Sequence, residues 1–111
     1  MIHVITGRAT SEQMQEMLEA LQTYVKLAVD VRRRVLAGVG ALHADCEAAL
    51  LEHESQQADI WGADWIPASK EVRFESVINV RPKRGNRSMT IVDPVLRSTI
   101  EAVIRERLGD P

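Results

Sequence analysis

The chain has 111 residues, 45% of them hydrophobic and 27% charged, and a net charge of −2. This length sets one domain, 1–111, built on a single core. The balance of residues is that of a soluble globular protein and excludes a uniformly basic nucleic-acid binder. No run of about 18 apolar residues is present to span a bilayer, so no membrane partner is expected. Met1–Thr6 is too short, and lacks the basic flank, for a secretory signal. The single Cys46 cannot close an internal disulfide, as suits a reducing cytoplasm. The charge is also uneven. Residues 1–71 hold 6 Lys and Arg against 11 Asp and Glu, while residues 72–111 hold 8 against 5. A basic patch on one face is compatible with that split.

Ile2, Val4 and Ile5 mark a short first strand, ended by Thr6-Gly7. Thr10 with Gln13 three residues on has the form of a capping box, with Thr10 as N-cap. Met14, Met17, Leu18 and Leu21 then follow the spacing of one buried helix face. From Tyr24 to Val31 the period changes to two, with Val25, Leu27, Val29 and Val31 alternating as in a strand. A second alternating run, Val35, Ala37, Val39 and Ala41, follows Arg32-Arg33-Arg34. Two strands joined near the arginines is the preferred reading, and one helix from about Leu21 to Ala37 is its rival.

A second helix is expected from Ala44 or Asp45, ending at Ser55-Gln56-Gln57, then an extended stretch from Ile60 to Ile66 and a turn at Pro67-Ala68-Ser69. Glu71 to Arg81 has the clearest strand pattern, with Val72, Phe74, Ser76, Ile78 and Val80 on one face. Pro82 stops it, Lys83-Arg84-Gly85-Asn86 turns, and Arg87 to Val92 returns as a partner strand. Asp93-Pro94 opens the last helix, with Asp93 as N-cap and Pro94 at the first helical position. Leu96, Ile100, Val103 and Ile104 give its buried face. The expected fold class is α+β, in the order β-α-β-β-α-β-β-β-α, with helices packed on one mainly antiparallel sheet.

Leu42 to Trp65 concentrates chemistry. It holds both tryptophans, two of the three histidines and six acidic residues, with no Lys or Arg. His43, Asp45 and Glu47 fall at i, i+2, i+4. Together they could orient a water for acid/base work or hold a divalent cation; they are equally what a helix start requires, with Asp45 as cap and Glu47 on the dipole. They are the catalytic candidates. No CxxC, HExxH or repeated Cys/His spacing is present, so no metal ligand set and no cofactor is assigned. Cys46 lies among acidic neighbours, which disfavours a thiolate and suits a buried structural role. Asn79, Arg81, Lys83, Arg84 and Arg87 are the candidates for binding phosphate or nucleic acid, since several donors could converge around the turn. The alternative there is a solvated surface. Trp61 and Trp65 are candidates to stack a base or anchor a partner, beside the plainer role of core aromatics.

The landmarks VKLAVDV, LHADCE, the run Gln57 to Trp65 containing IWGADW, SVINVRP and NRSMTI resemble a family of small bacterial proteins defined only as a domain of unknown function. The resemblance covers roughly residues 2 to 108. It is carried by His43, Asp45, Glu47, Gln57, Trp61, Gly62, Ser76, Asn79, Arg81, Pro82, Asn86, Ser88 and Met89. Where that family often has Gly-Ser after the second helix, this chain has Glu54-Ser55. In architecture it also resembles RelE-type toxins, in which basic residues on a small α+β domain face RNA. That likeness implies a toxin–antitoxin protein acting on or binding RNA or nucleotide phosphate, with RNA or an antitoxin protein as partner. Two other readings stand beside it: a self-associating interaction protein forming a homo-oligomer, and a metal-dependent hydrolase using His43, Asp45 and Glu47.

Overall fold

The computed structural model describes residues 2–21, 24–38 and 42–109. Helix α1, Ser11–Leu21, starts where the capping box places it. The Thr10 N–H donates to Gln13 Oε1 at 2.9 Å, and the Gln13 N–H donates to Thr10 Oγ1 at 3.1 Å. Met14 packs against the core; the side chains of Met17, Leu18 and Leu21 lie outside the described residues. Strands β1, His3–Ile5, β2, Val25–Asp30, and β3, Val35–Gly38, confirm the two-strand reading over the single helix. Val39 and Ala41, assigned to the second alternating run, lie outside the described residues.

The hairpin between β2 and β3 is held by Asp30. It is fully buried, and its Oδ1 accepts from the Arg32 and Arg33 N–H groups, each at 2.9 Å. Its Oδ2 accepts from the Ser55 hydroxyl at 2.6 Å. A buried carboxylate is tolerable only with such donors. Arg34 closes the turn with φ +57°.

Helix α2, His43–Glu52, has Leu42 as its N-cap and so begins three residues earlier than Asp45 as cap would require. Strand β4, Ile60–Ile66, and strand β5, Glu71–Arg73, complete a sheet of order β1-β3-β2-β4-β5, every neighbouring pair antiparallel. Helix α3, Pro94–Leu108, follows. The fold class is α+β, as expected. Val25, Leu27, Val29, Leu36, Trp61 and Trp65 turn to the side of α1 and α3, where Ile100, Val103 and Ile104 meet them. Ala28, Val35, Ala37 and Ile60 turn to α2, which buries Cys46 and Leu50. Among the described residues no helix is long and apolar enough to cross a membrane.

One expected element is much shorter than its pattern. The strand from Glu71 to Arg81 ends at Arg73, and Val77–Asn79 and Pro82–Arg84 are single 3-10 turns. The return segment, Arg87 to Val92, is not a ladder strand. It touches its neighbour through the bridge Glu75↔Thr90 and through Ser76 N–H to Met89 O and Ile91 N–H to Phe74 O. The alternation fails at Asn79, which is buried although its parity points it outward.

Candidate functional site

Helix α2 sets the first half of the candidate site. Residues four apart share a helix face, and His43 and Glu47 accordingly both turn toward the sheet. His43 Nε2 lies 2.8 Å from Asp64 Oδ1 and 3.2 Å from the Ala63 carbonyl oxygen. Both neighbours are acceptors, so Nε2 carries the proton. Asp64 stands in register between Lys26 of β2 and Arg73 of β5, within a row of alternating charge on the α2 face. Asp45 goes elsewhere: it is exposed, and its carboxylate folds back to accept from the Leu42 N–H at 3.2 Å. That is the work of a helix start.

Glu47 meets Arg81. Its Oε2 lies 3.2 Å from Nη2, and both side chains are largely covered. Arg81 also donates from Nε to the Ile78 carbonyl at 3.0 Å and from Nη1 to the Gln57 carbonyl at 2.7 Å. Its guanidinium carbon sits 4.7 Å from the centre of the Trp61 ring. The arginine thus ties α2, the turn before β4 and the segment after β5 together. Burial raises the Glu47 carboxyl above its ordinary range, with the Arg81 charge opposing. Burial also lowers Arg81, Glu47 opposes it, and the nearby Arg84 lowers it further. His43, Asp45 and Glu47 therefore do not converge: one joins Asp64, one caps, one joins Arg81. Among the described residues no three His, Cys, Asp or Glu side chains gather as a metal would need.

Asn79 and Asn86 are framework. Asn79 Oδ1 accepts from the Gly62 N–H at 2.7 Å, and its Nδ2 donates to the Gly62 carbonyl at 2.9 Å. Asn86 Nδ2 donates to the Asn79 and Ser88 carbonyls, and its Oδ1 accepts from the Val92 N–H. Asn79 consequently offers nothing to a ligand. Trp61 and Trp65 are each 2% exposed and sit in the main core. No face is left on either for a base or a partner, which corrects the stacking and anchoring roles.

The cations divide sharply. Arg32 pairs with Asp59 at 2.9 Å, Arg33 binds the His53 carbonyl at 2.6 Å, and Arg34 pairs with Glu106 at 2.5 Å. Lys83, Arg84 and Arg87 are exposed, and their side chains have no hydrogen bond or ion pair among the described residues. They ride on a closed loop. Arg81 and Asn86 exchange backbone hydrogen bonds at 2.7 and 3.1 Å, and Gly85 takes the left-handed φ of +79° that closes the turn.

Beside this loop runs a groove of about 630 Å³, lined by Glu47, Gln57, Ala58, Val77, Ile78, Val80, Arg81, Pro82, Lys83 and Arg84. Asn79 and Arg87 are not in its lining. Val77 is 68% exposed and Val80 41%, so its apolar wall is uncovered. The groove's charges are legible in the sequence, whereas Val77 and Val80 are not legible as one wall, because a strand from Glu71 to Arg81 would put them on opposite faces.

No curated protein and no solved structure matches the chain. A family profile, by contrast, matches residues 3–107, so that the match takes in α2, the groove and the cationic loop together: the chain belongs to the family described as Protein of unknown function (DUF5674).

Proposed function

We propose that this protein binds the phosphates of RNA through the loop 81–87 and the groove beside it. The observation carrying this is the set of three exposed, unpartnered cations, Lys83, Arg84 and Arg87, on a loop whose base is locked by backbone and asparagine hydrogen bonds. An ordered loop presents charge without the entropy that a mobile arm loses on binding. The groove itself holds a single carboxylate, Glu47. His43 is bound to Asp64 instead of facing that carboxylate, so no acid and base are paired there. Binding is the activity proposed, ahead of the cleavage expected of a toxin. The buried thiol of Cys46 suits a protein that meets its RNA in the cytoplasm.

The test is fluorescence anisotropy with a short single-stranded RNA over a range of salt. Counterion release gives a log–log slope of about −0.7 for each phosphate neutralised, so two or three contacts predict a slope of roughly −1.5 to −2. Salt-independent binding, or none, overturns the reading.

A further inference from the structure

We infer that the groove takes one unpaired nucleotide whose base offers an amino group to Glu47. This rests on the phosphate reading above and adds to it the class of nucleotide.

Three features of the groove carry it. Its volume, about 630 Å³, falls within the ~300–1,000 Å³ typical of small-ligand clefts. One wall is uncovered apolar surface, Val77 and Val80, while the rim carries Lys83 and Arg84. A flat, weakly polar base with a phosphate attached matches that pairing of surfaces. A paired base does not, since in an RNA duplex its face is stacked and its edge is spent on its partner.

The third feature is Glu47. Its Oε2 is fixed by Arg81, whereas its Oε1 has no hydrogen-bond partner among the described residues. The carboxylate is not sealed in either, for the Glu47 side chain is 14% exposed and lines the groove. An ionised carboxylate only accepts hydrogen bonds. Held in place by an arginine and with one oxygen left over, it favours a base edge that donates. Cytosine presents an N4 amino group where uracil presents O4, an acceptor that would face the carboxylate unfavourably.

CMP and UMP differ at that edge, and ribose 5-phosphate lacks the base altogether. Titrating the intact protein with each, by amide chemical-shift mapping at neutral pH, gives separate answers for phosphate and base. CMP is expected to bind at least about tenfold tighter than UMP, the effect of one hydrogen bond to a charged acceptor. Shifts are expected at Glu47, Val77, Val80, Lys83 and Arg84. In Glu47→Gln, whose amide still accepts from Arg81 but also donates, the preference should shrink to about twofold or less. Equal affinity for CMP, UMP and ribose 5-phosphate overturns the base assignment and leaves phosphate binding standing. No binding of any of the three overturns both. A preference undiminished in Glu47→Gln removes Glu47 from the site. Should that variant fail to fold, the comparison of CMP with UMP on the native protein still decides.

Discussion

The side chain of Asn79 pairs with both backbone groups of Gly62, accepting from its N–H at 2.7 Å and donating to its carbonyl at 2.9 Å. This is what the next β-strand would have supplied, because Gly62 lies on β4 beyond the point where β5 leaves it. A side chain replaces a strand, and the chain is released to build the groove. Asn79→Ala would orphan two buried backbone groups. We expect a loss of at least about 2 kcal/mol in urea unfolding; a loss of a few tenths would mean water takes the place of the amide.

Gly62 is glycine for a related reason. A Cβ there would stand 2.5 Å from Ser76 Cβ and 2.7 Å from Ser76 Oγ. Both belong to the segment that Asn79 holds down, so neither retreats cheaply. Gly62→Ala should cost about 1–3 kcal/mol through overpacking. Adding Ser76→Gly should restore part of that loss, a coupling a double-mutant cycle reads directly.

Asp93 caps α3 through Oδ1, which accepts from the Val95 N–H at 2.9 Å and the Leu96 N–H at 3.4 Å. Asp93→Ala is expected to lower stability by about 1 kcal/mol. Unchanged denaturant unfolding would show that Pro94 alone starts the helix.

Much of this was legible in the chain. Thr10 with Gln13, and Asp93 with Pro94, are local signals whose partners lie within three residues, and both formed as read. The β2–β3 pair followed from period two because both strands are buried on alternating faces. The stretch after Arg73 misled because its alternation is real but its hydrogen bonds are not those of a strand. Nothing local announces that Asn79 will bond to Gly62, 17 residues away. The α2 site was half legible: the i, i+4 spacing placed His43 and Glu47 on one face, but their separate partners, Asp64 and Arg81, come from two other parts of the fold.

Glu47 gives a pH prediction whose sign is fixed by burial. Its carboxyl is raised in the folded protein, so between the unfolded value, about 4.3, and the higher folded value the native state binds more protons. Stability must then fall with rising pH across that window. The contribution is fully present below the unfolded value and lost above the folded one. Glu47→Gln removes this slope. Urea unfolding of both proteins from acid to neutral pH should show the native curve declining relative to the variant. A difference curve that rises with pH would mean Arg81 outweighs burial.

Arg81 and its neighbours on the loop should behave as different kinds of residue. Arg81 binds two carbonyls, one carboxylate and one ring, so Arg81→Ala removes several contacts and leaves Glu47 partly buried without its cation. A loss of at least about 2 kcal/mol is expected. Lys83→Ala and Arg84→Ala remove charges that hold nothing inside the protein, and stability should stay within about 0.5 kcal/mol. In RNA binding the order reverses in diagnostic value. Each of those two exposed substitutions should flatten the log–log salt slope by about 0.7 while the fold is untouched. Arg32→Ala, which releases Asp59 in the turn before β4, should leave the slope alone. If Arg32→Ala flattened the slope and the Lys83 and Arg84 variants did not, the RNA surface would lie on the β2–β3 hairpin. Its arginines would then have to leave Asp59, His53 and Glu106 to bind, and affinity would carry the added cost of breaking those contacts.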